Sequence, residues 1–141
     1  MEYSISTDKS KLDVATIHDF LCNQSYWAKG RPLQTVQKSI ENSVCFGAYD
    51  NSGNTVGFGR VITDRTTFAY IADVFVLEKH RGEGVGQLLI EHMMQHPKLQ
   101  VEHWMLITAD AHGLYRKFGF EIPESINEYM SMRRCLPEKE A

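Results

Sequence analysis

The sequence predicts one α+β domain with a mixed, mainly antiparallel central sheet. Its 141 residues are enough to enclose one hydrophobic core, and no linker, repeat or low-complexity tract divides them. Short apolar or alternating runs are interspersed with segments of helical periodicity. Two such runs around the turn letters "NSG" indicate a β-hairpin in the middle of the chain. We therefore interpret residues 1–141 as a single domain.

The elements follow from periodicity and from Gly and Pro breaks. The run "TFAYIADVFVLE" is mostly apolar and rich in aromatic and branched residues, which predicts a central strand with both faces covered. The last six residues predict a frayed tail. In order, the predicted elements are a strand at 3–6, a helix at 10–24 with Ser10 as N-cap, a helix at 33–43, strands at 44–50, 54–63 and 67–78, a helix ending at Gln95, a strand at 102–108, a helix at 110–118 and a strand at 129–134.

Composition excludes several classes of protein. The formal net charge is -3 and the basic residues are scattered, which argues against nucleic-acid binding. No apolar run approaches the ~20 residues of a membrane span, and the first residues, "MEYSISTDKSK", lack the apolar segment of a signal peptide. Three cysteines without paired spacing predict a reducing cytoplasm. His92 and His96 lack a third ligand, so we expect no metal. The sequence leaves oligomeric state open, and a homodimer is compatible with it.

The segment "RGEGVG", residues 81–86, places three glycines at the start of a predicted helix. Each glycine costs a helix roughly 1 kcal/mol relative to alanine, so packing does not explain them. The dinucleotide fingerprint fails because Gln87 stands where its third glycine belongs, and the P-loop lysine and hydroxyl pair is missing. What remains is a helix N-terminus with unshielded amides, which favours an anion such as a pyrophosphate.

Two motifs together resemble the GNAT superfamily of acetyl-CoA-dependent N-acyltransferases. "RGEGVG" resembles the Q/R-x-x-G-x-G/A signature of that family, and "AHGLYRKFGF" resembles its later motif, in which a tyrosine precedes a GF pair. The order of the elements matches over essentially the whole chain. The resemblance implies a three-layer fold, with helices on both faces of a sheet that splays between its fourth and fifth strands. It also implies acetyl-CoA as the co-substrate.

The resemblance implies a coenzyme site along one strand, the glycine loop and the later motif. The strand would offer backbone groups to the pantetheine arm and the loop would hold the pyrophosphate. Many relatives carry Asn where this chain has Thr108, so the Thr108 hydroxyl, or nearby Asp110, would have to replace that contact. The implied coenzyme-binding residues are Val74, Phe75, Val76, Arg81, Gly82, Glu83, Gly84, Val85, Gly86, Gln87, Thr108 and Tyr115.

Acyl transfer to an amine needs two proton transfers. An alkyl amine has a pKa of about 10.4 and must lose a proton before it attacks, and the departing thiolate benefits from an acid. Tyr115 occupies the position of the family's motif tyrosine, which implies the acid. Asp73 is the one charge inside an apolar strand, which favours a base, an amine anchor or a structural salt bridge. Glu78 and His80 are alternative bases in the following turn.

The segment "SYWAKGR" is the predicted wall of the acceptor site. Tyr26 and Trp27 would offer apolar and cation-attracting surface, Arg31 a group for a carboxylate or phosphate, and Asp73 an amine anchor. We expect His112 to be exposed on its helix. No cysteine adjoins a base, which favours direct transfer to the primary amine of a small molecule. A protein or peptide acceptor, a non-catalytic acyl-CoA-binding module, and an interaction domain with an empty glycine turn remain as alternatives.

Overall fold

The computed structural model describes residues 2–135, so the tail predicted at 136–141 lies outside the described residues. Its sheet has five strands in the order β1-β2-β3-β4-β5. The first four strands pair antiparallel, and β5 joins β4 in parallel. The predicted mixed, mainly antiparallel sheet is therefore confirmed. The strands are β1 (Ser4–Ser6), β2 (Val44–Tyr49), β3 (Thr55–Thr63), β4 (Phe68–Val76) and β5 (His103–Met105).

Within residues 2–135, four α-helices accompany the sheet. The first helix continues into a π-helical turn, Phe20–Gln24, and short 3-10 turns occur at Lys9–Lys11, Glu78–His80, Pro97–Leu99 and Ile126–Glu128. No helix in the described part of the chain is both long and apolar enough to cross a bilayer. The α-helices are α1 (Val14–Asp19), α2 (Leu33–Glu41), α3 (Val85–Gln95) and α4 (His112–Arg116).

The helices form layers on both faces of the sheet. On one face, α1 and α2 bury Ile17 and Val36 against Phe58 and Phe75 of the sheet. On the other face, a second cluster joins residues of α3 and α4 to β2, β3 and β4. Burying such apolar surface from two sides is what stabilises a three-layer domain. The second cluster includes Phe46, Val61, Ile71, Leu89, Met93 and Tyr115.

The first helix begins later than the sequence predicts. The N-cap is Asp13, whose carboxylate accepts hydrogen bonds from the Thr16 amide (3.2 Å) and hydroxyl (2.8 Å). Ser10 lies instead in the preceding 3-10 turn, where its hydroxyl donates to Asp8. The prediction of Ser10 as N-cap is therefore wrong. Serine and aspartate both favour the N-cap position, and here Asp13 is the N-cap because its carboxylate accepts a hydrogen bond from the Thr16 amide.

The C-terminal elements are shorter than predicted or absent. The fifth strand spans His103–Met105 instead of 102–108, and the last helix spans His112–Arg116 instead of 110–118. Residues 129–134 form no strand and are exposed, so that prediction is wrong. An alternating pattern shows which residue types suit a strand, but a strand also needs a paired neighbour, which no local pattern supplies.

Strand β4 contains a bulge that the sequence analysis did not predict. Phe58 of β3 pairs with Phe75 and Arg60 pairs with Ala72, so β4 has one extra residue between these pairs. Asp73 lies there with φ at 56°, in the left-handed region that aspartate tolerates better than most residues. Because a bulge shifts the alternation by one residue, Asp73 contacts groups on the α1 and α2 face.

Candidate active site

The sheet opens between β4 and β5. The two strands pair only from Phe68–Tyr70 to His103–Met105, so β4 continues from residue 71 to 76 without β5 beside it. Leu77 donates its amide to Val56 of β3 at 2.8 Å. Backbone groups point alternately to the two sides of a strand, so those of Val76 and Val74 point into the opening. This is the splay that the family resemblance implied.

The three β4 residues predicted to bind the coenzyme differ in what they present to the opening. Val74 and Val76 present backbone groups to the opening, and the carbonyl of Val76 already accepts a hydrogen bond from Arg81 Nε at 3.0 Å. Phe75 is buried on the α1 side, where its ring stacks on Phe20 with centroids 4.1 Å apart. The structure therefore places the side chain of Phe75 in the core and leaves the neighbouring backbone groups exposed to a ligand.

The glycine loop presents a run of free amides beside this opening. Gly82 and Gly84 both have φ of +80°, and Gly84 is the N-cap of α3. The Arg81 amide donates to Glu78, but none of the six following amides, residues 82–87, has a hydrogen-bond partner in the described residues. The helix dipole adds positive potential at the same point. The loop therefore has the donors and the charge that bind an anionic group.

Tyr115 lies at the other side of the opening, on α4. Its side chain is buried, with 7% of the residue exposed, and its ring packs edge-on against Phe120. No hydrogen bond within residues 2–135 involves its hydroxyl, and this oxygen is not among the fully buried unpaired atoms, so it reaches accessible space. Burial raises the pKa of Tyr115 to about 12, with smaller contributions from Tyr26 and Asp110. The hydroxyl is therefore a free donor that stays protonated at any physiological pH.

Thr108 has a structural task in addition to the one predicted. Its hydroxyl accepts a hydrogen bond from the Ala111 amide at 3.1 Å, which supports the start of α4. A hydroxyl that accepts one bond can still donate its own hydrogen to a ligand.

Nearby His112 is half-buried on α4 instead of exposed, so the expectation for that residue is wrong. Thr108 and His112 both border a groove of about 1000 Å³ between β5, α4 and the segment that follows.

The loop that carries Tyr26 and Trp27 crosses the opening. The Tyr26 hydroxyl accepts a hydrogen bond from the Ala109 amide at 3.1 Å, which ties the α1 side of the domain to the connection between β5 and α4. Trp27 packs edge-on against Tyr26 with ring centroids 5.0 Å apart. Tyr26 is also one of the groups that raise the pKa of Tyr115. One of the predicted acceptor residues, Tyr26, therefore lies near the predicted acid.

Asp73 is held by three donors. Its carboxylate accepts hydrogen bonds from Trp27 Nε1 (2.9 Å), Arg31 Nη1 (2.8 Å) and Arg60 Nε (2.6 Å). Only 3% of its side chain is exposed. Burial by itself raises the pKa of this carboxyl, but Arg60 and then Arg31 outweigh it, so the pKa lies below its ordinary value. Asp73 therefore remains an ionised ligand of two arginines across the physiological range.

Arg60 is the residue of this cluster that sequence reasoning missed. It lies on β3 and also donates from Nη1 to Ser43 at 3.2 Å. The signal that singled out Asp73, a lone charge inside an apolar strand, is present in "GFGRVIT" as well.

The alternative base His80 shares a hydrogen bond with Tyr3 at 2.9 Å. Glu78 begins the 3-10 turn ahead of the glycine loop.

Comparison with known proteins identifies the family. Residues 41–122 match the model of the acetyltransferase (GNAT) domain. A Xanthomonas campestris pv. campestris protein described as belonging to the GNAT family is 44% identical, with a TM-score of 0.91 over 95% of this chain and 94% of that one. A Gibberella zeae protein with an acetyltransferase name is 33% identical over 82% of this chain and 77% of its own length. A Gracilaria tenuistipitata var. liui protein with an N-acetyltransferase name is 27% identical over 74% and 61%. With the splayed sheet and the glycine loop, these matches establish that the chain belongs to the GNAT acetyltransferase family.

Proposed function

We propose that the protein transfers an acetyl group from acetyl-CoA to the primary amine of a small molecule by direct attack. The observation that carries the proposal is the run of six free amides at residues 82–87, which lies at the end of the strand whose backbone faces the opening. A ligand with an anionic group and an extended arm could therefore bind its anionic group at the loop amides and its arm along the adjoining strand. Tyr115 supplies a protonated hydroxyl across the same opening.

The coenzyme supplies an acetyl thioester, and this chain supplies the donors that hold it. Amides of the glycine loop would bind the pyrophosphate, and the backbone of Val74 and Val76 would pair with the amide groups of the pantetheine arm. The Thr108 hydroxyl can donate to the same arm. Backbone amides at the opening are also suited to stabilise charge on the thioester oxygen, because they need no reorganisation during the reaction.

In the transfer itself, the amine nitrogen forms a bond to the carbonyl carbon and the carbon–sulfur bond breaks. The ammonium proton leaves to water before the attack, and the departing sulfur takes a proton from Tyr115. The attacking nitrogen gives up a second proton as the amide forms, and this proton restores the Tyr115 hydroxyl through water, so that the products are the amide and the free CoA thiol. Tyr115 with a pKa of about 12 is a weak acid toward a free thiolate of pKa about 8.5. Burial also raises the pKa of a thiol next to Tyr115, so the pKa values of the proton donor and of the sulfur acceptor become more similar.

We propose that water, and not Asp73, removes the proton of the amine. A base needs a pKa near the working pH, whereas the Asp73 carboxylate is held in its ionised form by three donors and has a lowered pKa. Asp73 then acts as a positioning residue for the acceptor wall.

Cys45 is buried and burial raises the pKa of its thiol to about 11, which disfavours an acyl-cysteine at this position. A cytoplasmic location and a homodimer stay predictions.

Coenzyme A is expected to stabilise the protein against thermal unfolding. A ligand at a hundred times its dissociation constant adds about 2.7 kcal/mol to the free energy of unfolding. Differential scanning fluorimetry with CoA and acetyl-CoA measures this directly. An unchanged melting temperature at millimolar coenzyme would contradict both the enzyme and a non-catalytic acyl-CoA-binding module. A shift without acetylation of any amine, peptide or protein would favour the latter.

Gly84→Leu is expected to raise the Kd for CoA roughly tenfold or more, because one or two charged hydrogen bonds at the loop are lost. The positive φ of Gly84 also imposes a folding cost of about 1–2 kcal/mol on any side chain. Gly53→Leu is the matched control: its φ is +83°, an added Cβ meets nothing within 4 Å at either site, and Gly53 lies in the β2–β3 turn. Isothermal titration calorimetry measures the Kd for CoA of both variants. Equal Kd values for the two variants would place the anion site elsewhere.

A further inference from the structure

We infer that the amine acceptor also carries a compact oxyanion, a carboxylate or a phosphate, which binds to Arg31 and Arg60. The inference rests on the proposed acetyl transfer and names the class of its acceptor. It starts from the charge balance of the cluster formed by Arg31, Arg60 and Asp73. Two guanidinium groups contact one carboxylate, and no other acidic group of the described residues lies within 4.0 Å of either arginine. The cluster therefore carries one positive charge in excess.

This excess charge is largely removed from water. The side chains of Arg31 and Arg60 are only 22% and 13% exposed, and that of Asp73 is 3% exposed. A partly buried cation without a counter-ion is costly, and the cost falls when an anion binds next to it. Within the described residues, the other side chains that hydrogen-bond to these three charged side chains are Ser43 and Trp27, which are neutral and add no charge.

Most donors of the two guanidinium groups remain available. Each guanidinium carries five N–H donors. Arg31 uses Nη1 toward Asp73, and Arg60 uses Nε toward Asp73 and Nη1 toward Ser43. The Nη2 groups of both residues have no partner in residues 2–135. Asp73 holds the two planes in place, so an oxyanion would meet donors that are already oriented.

The cluster lies on the acceptor side of the opening. Val74 presents its backbone to the coenzyme side, and Asp73, the residue before it, contacts Trp27 and Arg31 of the loop that crosses the opening. Tyr26 of that loop approaches Tyr115 and the β5–α4 connection. An amine that reaches the thioester near Tyr115 could therefore place a second, anionic group against the arginines.

The first test compares acceptors that differ only in the anion. ω-Amino carboxylates of increasing chain length are paired with their carboxamides, and O-phosphoethanolamine with ethanolamine. We expect kcat/KM to be at least about tenfold higher for the anionic member of the best pair, as a charged hydrogen bond predicts. In Arg31→Gln that ratio should fall toward one. Arg65→Gln, in the exposed β3–β4 turn, is the control and should keep the ratio. Equal kcat/KM within every pair, with turnover present, overturns the inference and leaves the proposed function standing.

The second test needs no turnover. With CoA saturating the glycine loop, inorganic phosphate is titrated while the indole N–H signals of Trp27 and Trp104 are followed by NMR. Trp27 donates to Asp73, whereas Trp104 packs in the α3 cluster and serves as the internal reference. A saturable shift of Trp27 alone, lost in Arg31→Gln, supports the inference. No shift, or equal shifts of both indoles that chloride reproduces, overturns it even if no amine in the panel is acetylated.

Discussion

Tyr115→Phe is expected to lower kcat at least about 100-fold, while acetyl-CoA binds within a few-fold of its wild-type affinity. The variant keeps the ring that packs against Phe120 and removes only the hydroxyl. Loss of a general acid slows only the step in which charge develops on sulfur. Steady-state kinetics with the best amine and calorimetry with acetyl-CoA separate the two effects.

Tyr49→Phe is the matched control for this prediction. Tyr49 is as buried as Tyr115, its hydroxyl also lacks a partner, and it lies on β2 away from the opening. We expect its turnover to equal that of the wild type, because a buried unpaired hydroxyl contributes no stability. If Tyr115→Phe also turns over within a few-fold of wild type, Tyr115 is a packing residue and water protonates the sulfur.

The pH profile follows from the raised pKa of Tyr115. A hydroxyl with a pKa of about 12 remains protonated while an amine of pKa about 10.4 loses its proton. We therefore expect kcat/KM to rise with pH between 6 and 10 as the neutral amine accumulates. A falling limb in this range that vanishes in Tyr115→Phe would contradict the raised pKa of Tyr115, although not its role as the acid, because it would mean that Tyr115 ionises far below 12.

Asp73→Asn is expected to lower the free energy of unfolding by about 3 kcal/mol or more. The amide keeps the size of the side chain but leaves Arg31 and Arg60 partly buried without their counter-ion. Urea denaturation at pH 7 measures the change. Asp64→Asn is the control, because Asp64 also accepts several hydrogen bonds but is exposed in the β3–β4 turn. We expect a smaller loss for Asp64→Asn, and an equal loss would show that burial is not the cause.

The difference between wild type and Asp73→Asn should depend on pH in one direction. The pKa of Asp73 is lower in the folded protein than in the unfolded chain, so its ionised form stabilises the fold above about pH 4. That contribution is lost as the pH falls through the folded-state pKa and Asp73 takes up a proton. The two unfolding free energies should therefore converge between pH 5 and the most acidic pH at which the fold persists. A constant gap would contradict an ionic origin.

Local features of the sequence were sufficient for most elements and for the glycine loop. The turn "NSG" between two apolar runs predicted the β2–β3 hairpin, because hairpins depend on neighbouring residues. The three glycines predicted the start of α3 and its free amides, since only the first turn of a helix leaves amides unpaired. Residues 129–134 had the right alternation, but a strand at the end of the chain depends on a distant partner.

The sequence by itself determined the layered α+β domain and the glycine loop at the start of α3. Only the tertiary structure decided the partners of Asp73. A one-residue bulge in β4 turns its carboxylate toward Arg31 of a loop and Arg60 of another strand, 42 and 13 residues away. Bulges depend on the register between strands, and charge balance depends on groups brought together from distant parts of the chain. Whether a lone buried carboxylate is a base or the counter-ion of two arginines is therefore a property of the fold.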